Sequence, residues 1–278
     1  MDRILRITSL QNGRVKHIVR LNQRRYRDQH RMTIVEGVRE CRRALQSGLI
    51  PLEAYVCPPL LTEPETSEVL TTLQTLNQAG KTKLFEVTPE VFAKIAYRGA
   101  SGGILLLIPY LEKSLADVPI TAVPFIVILE QVEKPGNLGA ILRTADAAGV
   151  DAVILTGSGT DIHNPNVIRA SLGTLFTVPV IMATNNHTRT WLHQHHIPII
   201  ATTPAATTCY TDIPLNGPVA ILMGSEAHGL SPEWLSIADY QVKIPMYGTV
   251  DSLNLSVSTA ILLYEVIRQR KEPVCESP

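Results

Sequence analysis

Three stretches of the sequence end an apolar run in small and polar residues, and each carries side chains able to bind or orient a reacting group. "EKPGNLGAILRTADAAG" (133–149) offers Asn137 and Arg143. "VAILMGSEAHGL" (219–230) offers Gly224, Ser225 and Glu226, with Gly229 behind them. "IPMYGTVDSLNLSVSTAILLYEVI" (244–267) packs Asp251, Ser252, Asn254 and Ser256 into one loop. An amide, a guanidinium, a carboxylate and hydroxyls suit hydrogen bonding to a ligand and stabilisation of developing negative charge. The glycines of the first stretch form neither G-x-G-x-x-G nor the Walker pattern of a phosphate loop, which disfavours a dinucleotide oxidoreductase.

Each stretch also has a plainer reading. Asn137 would cap the following helix, with Arg143 and Asp146 a surface ion pair at i, i+3. Ser225 or Glu226 would close a tight turn before a helix starting at "SPEW". The cluster Asp251–Ser256 would cap the last helix, although four such residues exceed what one cap needs.

The elements that must position these loops form a regular alternation. From residue 124 the strand-like runs are "FIVILE", "AVILT", "TVPVIMA", "IPIIAT", "VAILMG" and "YQVKIP", most of them separated by helical segments. That order predicts a parallel sheet covered by helices on both faces, whose ligand crevice lies beyond the carboxyl ends of the strands. In the first of the helices Leu138, Ile141, Leu142 and Ala145 make one apolar stripe, away from which Arg143 and Asp146 project. The last helix, from Leu255 to Ile267, is apolar almost all round, which predicts burial on several sides and points to a second subunit.

The first third reads as a smaller α/β unit. It predicts helices over 13–27, 38–47 and 65–79, a short helix from Pro89, and strands at "MTIVEG", "EAYVC", "KLFEV" and "GGILLLIPY". Residues 112–123 read as a linker. The expected division is therefore 1–111, a linker at 112–123, and 124–272.

Composition narrows the class. Hydrophobic content of 45% with 18% charged residues describes a globular protein with a sizeable core. The net charge is zero, yet residues 1–43 hold twelve arginines and lysines against four acids. A basic end on a neutral chain is the footprint of a polyanion partner. Arginine-rich, acid-poor ends also occur in transit peptides. Here "RMTIVEGVRECRRALQSGL" continues as a strand and an amphipathic helix, so the basic stretch belongs to a folded domain. The four cysteines, Cys41, Cys57, Cys209 and Cys275, are scattered without C-x-x-C spacing, and suggest neither disulfides nor zinc. No apolar run reaches membrane-span length and no signal peptide is legible; a cytoplasmic, reduced protein is expected. "HQHH" (His193, His195, His196) is open as a metal site or as an exposed helix end.

Together the three stretches resemble the motifs of the SpoU (TrmH) family of RNA ribose 2′-O-methyltransferases, in the SPOUT superfamily. Asn137, Arg143 and Gly149 match N-x₅-R-x₅-G, while "MGSEAHGL" and "IPMYGTVDSLNLSVSTAILLYE" match the second and third motifs. "NPNVIRASLGTLF" (164–176) is similar to the family's intermediate segment, and "VKHIVRL" and "VEGVRE" resemble its auxiliary RNA-binding domain. The resemblance implies a deep trefoil knot, a homodimer and S-adenosylmethionine as cofactor. It implies cofactor contacts from Leu155, Thr156, Gly224, Ile244, Met246 and Leu253. Arg143, Asn137, Glu226, Ser252 and Asn254 would form the catalytic region. RNA would be met by Arg14, Lys16, Arg20, Arg24 and Arg25, with Arg169 a further contact. The two-domain layout favours 23S-type ribosomal RNA; a tRNA substrate and a non-catalytic RNA-binding or assembly factor stay open.

Overall fold

The computed structural model describes residues 4–97 and 102–271; Arg3 and Cys275 lie outside them. Two compact units emerge, one of Met1–Leu111 with Asp161–Thr177, the other of Glu112–Thr160 with Val178–Pro278.

In chain order the first unit runs β1 (Leu5–Ile7), α1 (Gly13–Arg20), α2 (Arg24–His30), β2 (Met32–Glu36), α3 (Val38–Gln46), β3 (Glu53–Val56), α4 (Thr66–Gln78), β4 (Lys83–Val87), α5 (Pro89–Ile95) and β5 (Ile104–Pro109). Its sheet has the order β1-β4-β3-β5-β2. β4 is parallel to both neighbours, and β5 is antiparallel to β3 and β2. Val15, Ile18 and Leu21 join Phe85, Phe92 and Leu105 in its core.

Two features depart from the sequence expectation. The basic helix expected over 13–27 is two helices, broken at 21–23. Arg27 explains the break: its guanidinium donates to the carbonyls of Leu21 (2.7 Å) and Asn22 (3.0 Å), satisfying acceptors that the end of α1 leaves free. β1 was not legible, because three residues at a sheet edge carry too little periodicity.

The second unit runs β6 (Phe125–Glu130), α6 (Pro135–Ala148) and β7 (Ala152–Thr156). After α7 (Pro165–Ala170), which packs in the first unit, it continues with β8 (Val180–Ala183), α8 (Asn185–Gln194), β9 (Ile199–Thr202), β10 (Thr208–Cys209), β11 (Val219–Met223), α9 (Pro232–Ile237), β12 (Tyr240–Lys243) and α10 (Leu255–Arg270). The strands pair in the order β10-β12-β9-β11-β6-β7-β8, all parallel. The expected parallel sheet is therefore present; β10, two residues long, was not anticipated.

The expected division into contiguous domains needs correction in two places. Residues 161–177, expected in the second domain, pack with the first unit. There Thr33 Oγ1 donates to the His163 carbonyl (2.6 Å), Asn166 donates to the Tyr97 hydroxyl (2.7 Å), and Arg43 donates to the Leu172 carbonyl (2.8 Å). Residues 112–123 are not a free linker: Ser114 and Asp117 cap a short 3₁₀ turn, and Val118 is buried in the core of the second unit.

Candidate active site

α6 starts at Pro135, not after Asn137. Lys134 holds the N-cap position, and proline at the first helical position has no N–H to leave unsatisfied. Asn137 is thus free of the capping duty expected of it. The stripe Leu138, Ile141, Leu142 and Ala145 is buried, which fixes the helix, and Gly149 ends it in the left-handed conformation at φ 68°.

Gly224 follows β11. A Cβ there would lie 2.2 Å from the Gly229 carbonyl carbon, because the loop folds back on itself through paired Ser225–Gly229 backbone hydrogen bonds of 3.0 Å. The close backbone approach that requires a glycine here is therefore to its own loop. That fold-back presents Glu226 outward, while the Ser225 hydroxyl accepts from His228 N–H (3.1 Å).

Asn254 caps α10, its Oδ1 accepting from Ser256 N–H (3.0 Å) and Ser256 Oγ (2.7 Å). Its Nδ2 is left to reach across, and it donates to Asn137 Oδ1 and Glu226 Oε1, both at 3.2 Å. Asn137 Nδ2 donates to the same Glu226 Oε1 at 2.5 Å. Lys134 Nζ pairs with the other carboxylate oxygen. One carboxylate therefore joins all three stretches. The Lys134 hydrogen bond, aided by the Asn137 amide, holds Glu226 below its ordinary range, so it is ionised near neutrality. A low pKa and three donors make it an orienting group rather than a proton acceptor.

Beside this cluster lies a cavity of about 420 Å³ beyond the carboxyl ends of β9, β11 and β12, where a parallel sheet places its ligands. Gly224, Ile244, Met246 and Leu253 line it as expected, with Glu226, Ser252 and Asn254. Leu155 and Thr156 do not. They are buried in β7, which β6 separates from β11. The cavity wall on that side is made by Thr202, the last residue of β9, and Thr203. The Thr202 hydroxyl, like that of Thr156, is buried with no hydrogen-bond partner. With apolar Met223, Ile244, Met246 and Leu253 around it, the cavity suits a cofactor that has both polar and apolar parts.

Arg143 stands apart. It is exposed on α6, outside the cavity lining, six residues from Asn137 and therefore about 9 Å along the axis and a third of a turn round. Lys134 was missed by sequence reasoning; its only signal was its place beside the proline that begins α6. Within this single chain α10 is buried in part. Leu262, Leu263 and Val266 are buried, while Val257 and Tyr264 are 47% and 52% exposed.

In the first unit Lys16, Arg20 and Arg25 are exposed. Arg14 pairs with Glu53 (3.2 Å), Arg24 with Asp28 (3.7 Å), and Arg169 lies 3.7 Å from Glu36.

Two family models match this chain. The SpoU rRNA methylase family model matches residues 124–264. The chain belongs to the SpoU rRNA methylase family. A second model, the MRM3-like substrate binding domain, matches residues 12–106. A solved RNA 2′-O ribose methyltransferase is 41% identical, with 96% of this chain and 99% of that one aligned at a TM-score of 0.81. The S-adenosylmethionine-bound rRNA methyltransferase of Sinorhizobium meliloti is 31% identical over 97% of this chain and 99% of its own, with a TM-score of 0.87. The 23S rRNA (guanosine-2′-O-)-methyltransferase RlmB of Pectobacterium atrosepticum is 40% identical over 148 residues, 53% of this chain and 61% of that protein. Among the described residues of this SpoU-family chain, no helix is long and apolar enough to cross a membrane, and no group of three or more His, Cys, Asp or Glu side chains could hold a metal.

Proposed function

We propose that this SpoU-family chain methylates a ribose 2′-hydroxyl of RNA, with 23S-type ribosomal RNA as the substrate and S-adenosylmethionine as the donor. The observation that carries the reading is the meeting of Asn137, Glu226 and Asn254 at the edge of the cavity beyond β9, β11 and β12.

When bound, S-adenosylmethionine supplies a sulfonium methyl group open to in-line displacement. Thr202 Oγ1 would hydrogen-bond it, and Ile244, Met246 and Leu253 would hold its less polar parts. Ionised Glu226 locks the amides of Asn137 and Asn254, leaving them oriented toward the incoming ribose, so that positioning supplies much of the acceleration. The Arg143 guanidinium has donors in a fixed planar fork and no acceptor. It acts as a fixed cation that holds a phosphate and stabilises alkoxide character on the ribose oxygen. The second motif's turn and the third motif's loop would be threaded as a trefoil knot. The exposed Val257–Tyr264 face of α10 would be covered by a second copy in a homodimer.

Arg143→Ala is expected to abolish methylation while S-adenosylmethionine still binds in a calorimeter; near-wild-type turnover on the true RNA sinks the role. Mapping 2′-O-methylation across total RNA with and without the gene should show one ribosomal ribose losing its methyl. A tRNA ribose losing it instead moves the substrate to tRNA. No change at any ribose, with cofactor binding absent, leaves an assembly factor.

A further inference from the structure

The first unit carries a second cavity, of about 710 Å³, which the methyl-transfer site does not use. Its walls come from the start of α1, the start of β4 and the chain just before β3. The floor is apolar: Met32, Leu52 and Leu107. Leu52 remains 39% exposed there. Cations form the rim. Lys81 and Lys83 are exposed, and the Arg14 guanidinium is held by Glu53 at 3.2 Å and lies 4.7 Å over the Phe85 ring.

One ring enters the lining. His17 is fixed from behind by the Tyr26 hydroxyl, 2.9 Å from Nδ1, and by the His30 ring, 5.2 Å away edge-on. Burial, and then the charge of His30, lower the His17 pKa below its ordinary 6.5. Near neutrality the imidazole is thus a flat, uncharged hydrogen-bonding surface.

An apolar floor, a neutral ring and a cationic rim match the parts of one nucleotide. A base meets the floor and ring, and its flanking phosphates meet the rim. The volume falls within the roughly 300–1,000 Å³ of small-ligand sites. A free mononucleotide has the same chemistry, but Lys16, Arg20, Arg24 and Arg25 continue the positive charge along α1 and α2. That run fits a strand with several phosphates.

We propose that this cavity receives an unpaired nucleotide of the RNA strand, so that the first unit selects a looped or bulged segment rather than uniform duplex. Duplex bases are stacked away from such a pocket, whereas unpaired bases are splayed out and stack on side-chain rings. The inference rests on RNA being the substrate, as proposed above.

The test uses the full chain. Fluorescence anisotropy compares a short labelled single-stranded RNA with the same strand annealed to its complement. The wild type should bind the single strand about tenfold more tightly, within the range expected for stacking one base. Leu52→Trp, which fills a half-exposed site, should remove that preference while keeping duplex affinity. Lys81→Glu with Lys83→Glu should weaken both, and excess adenosine or uridine monophosphate should not displace the strand. Displacement by the monophosphate would instead assign the cavity to a free nucleotide. Equal wild-type affinity for both RNAs, or an unchanged preference in Leu52→Trp, would overturn the proposal. S-adenosylmethionine titrated into the same wild-type sample separates the two ideas. Heat without strand preference refutes this cavity alone; strand preference without heat refutes the methyltransferase reading alone.

Discussion

Two charged clusters in this molecule have similar chemistry and opposite settings. In the first unit Arg27 and Asp161 pair at 2.6 Å with side chains only 2% and 8% exposed. Asp161 also accepts from the His163 N–H (2.8 Å), and the His163 ring stacks on Tyr110 at 3.5 Å. In the second unit Glu226 gathers Lys134, Asn137 and Asn254 at the surface. The first cluster is shut away from water, so each charge depends on its partner and the group holds α1, α2 and residues 161–163 in place. The second is open to solvent, which screens it. Its members can exchange partners when a ligand arrives at little cost in stability. Burial thus separates a charge that builds the fold from one available for chemistry.

The sharpest way to break this contrast is Arg27→Leu. Leaving Asp161 buried without its partner should lower stability by about 3–5 kcal/mol, read as a fall in the denaturant midpoint. An unchanged midpoint would mean that the pair is dispensable. The next effect is pH dependence. Burial lowers the His163 imidazole from 6.5 to about 4. Below pH 6.5 the unfolded chain takes up a proton that the folded chain refuses. Stability is therefore full above that value and falls by about 3 kcal/mol on going down to pH 4. In His163→Gln the slope of stability against pH over this interval should flatten; an unaltered slope would assign it elsewhere.

At the open cluster the expectation reverses. Glu226→Gln should change stability by no more than about 0.5 kcal/mol, yet lower the methylation rate by about a hundredfold through misplaced amides. A large drop in melting temperature would show that Glu226 is structural after all. Since Lys134 and Asn137 hold this carboxyl below its ordinary range, wild-type activity should not titrate with an acid limb at ordinary carboxylate pH. The smallest effect concerns the exposed cations. Arg24→Glu with Arg25→Glu should leave the denaturant midpoint in place but weaken RNA binding. The salt dependence of binding should flatten by about one unit of slope per lost phosphate contact. Undiminished affinity would remove α2 from the RNA surface.

The clusters also differ in how far the sequence revealed them. Asn137, Glu226 and Asn254 stood out because each lies shortly after an apolar strand-like run, and the resemblance to the SpoU motifs gave them a shared role. Arg27 was counted with the basic patch, since nothing local distinguishes a cation that will be buried against a residue more than a hundred positions away. The same limit applies to the two strand ends that end in threonine, of which only β9 lines the cavity. "AVILT" and "IPIIAT" both end an apolar run in threonine, and the sequence holds no reason to prefer one.

By itself the sequence determined the alternation of strands and helices, the apolar stripe of α6, the three polar loops and the basic end, because these depend on side-chain periodicity and on residues near in the chain. Tertiary structure decided the rest. The strand order puts β9 rather than β7 beside β11, and so brings Thr202 rather than Thr156 to the cavity wall. The segment 161–177 packs with the first unit, and so turns Arg27 into a buried partner of Asp161. Both outcomes depend on which distant segments come to share a core, a question of burial and pairing that no local pattern can answer.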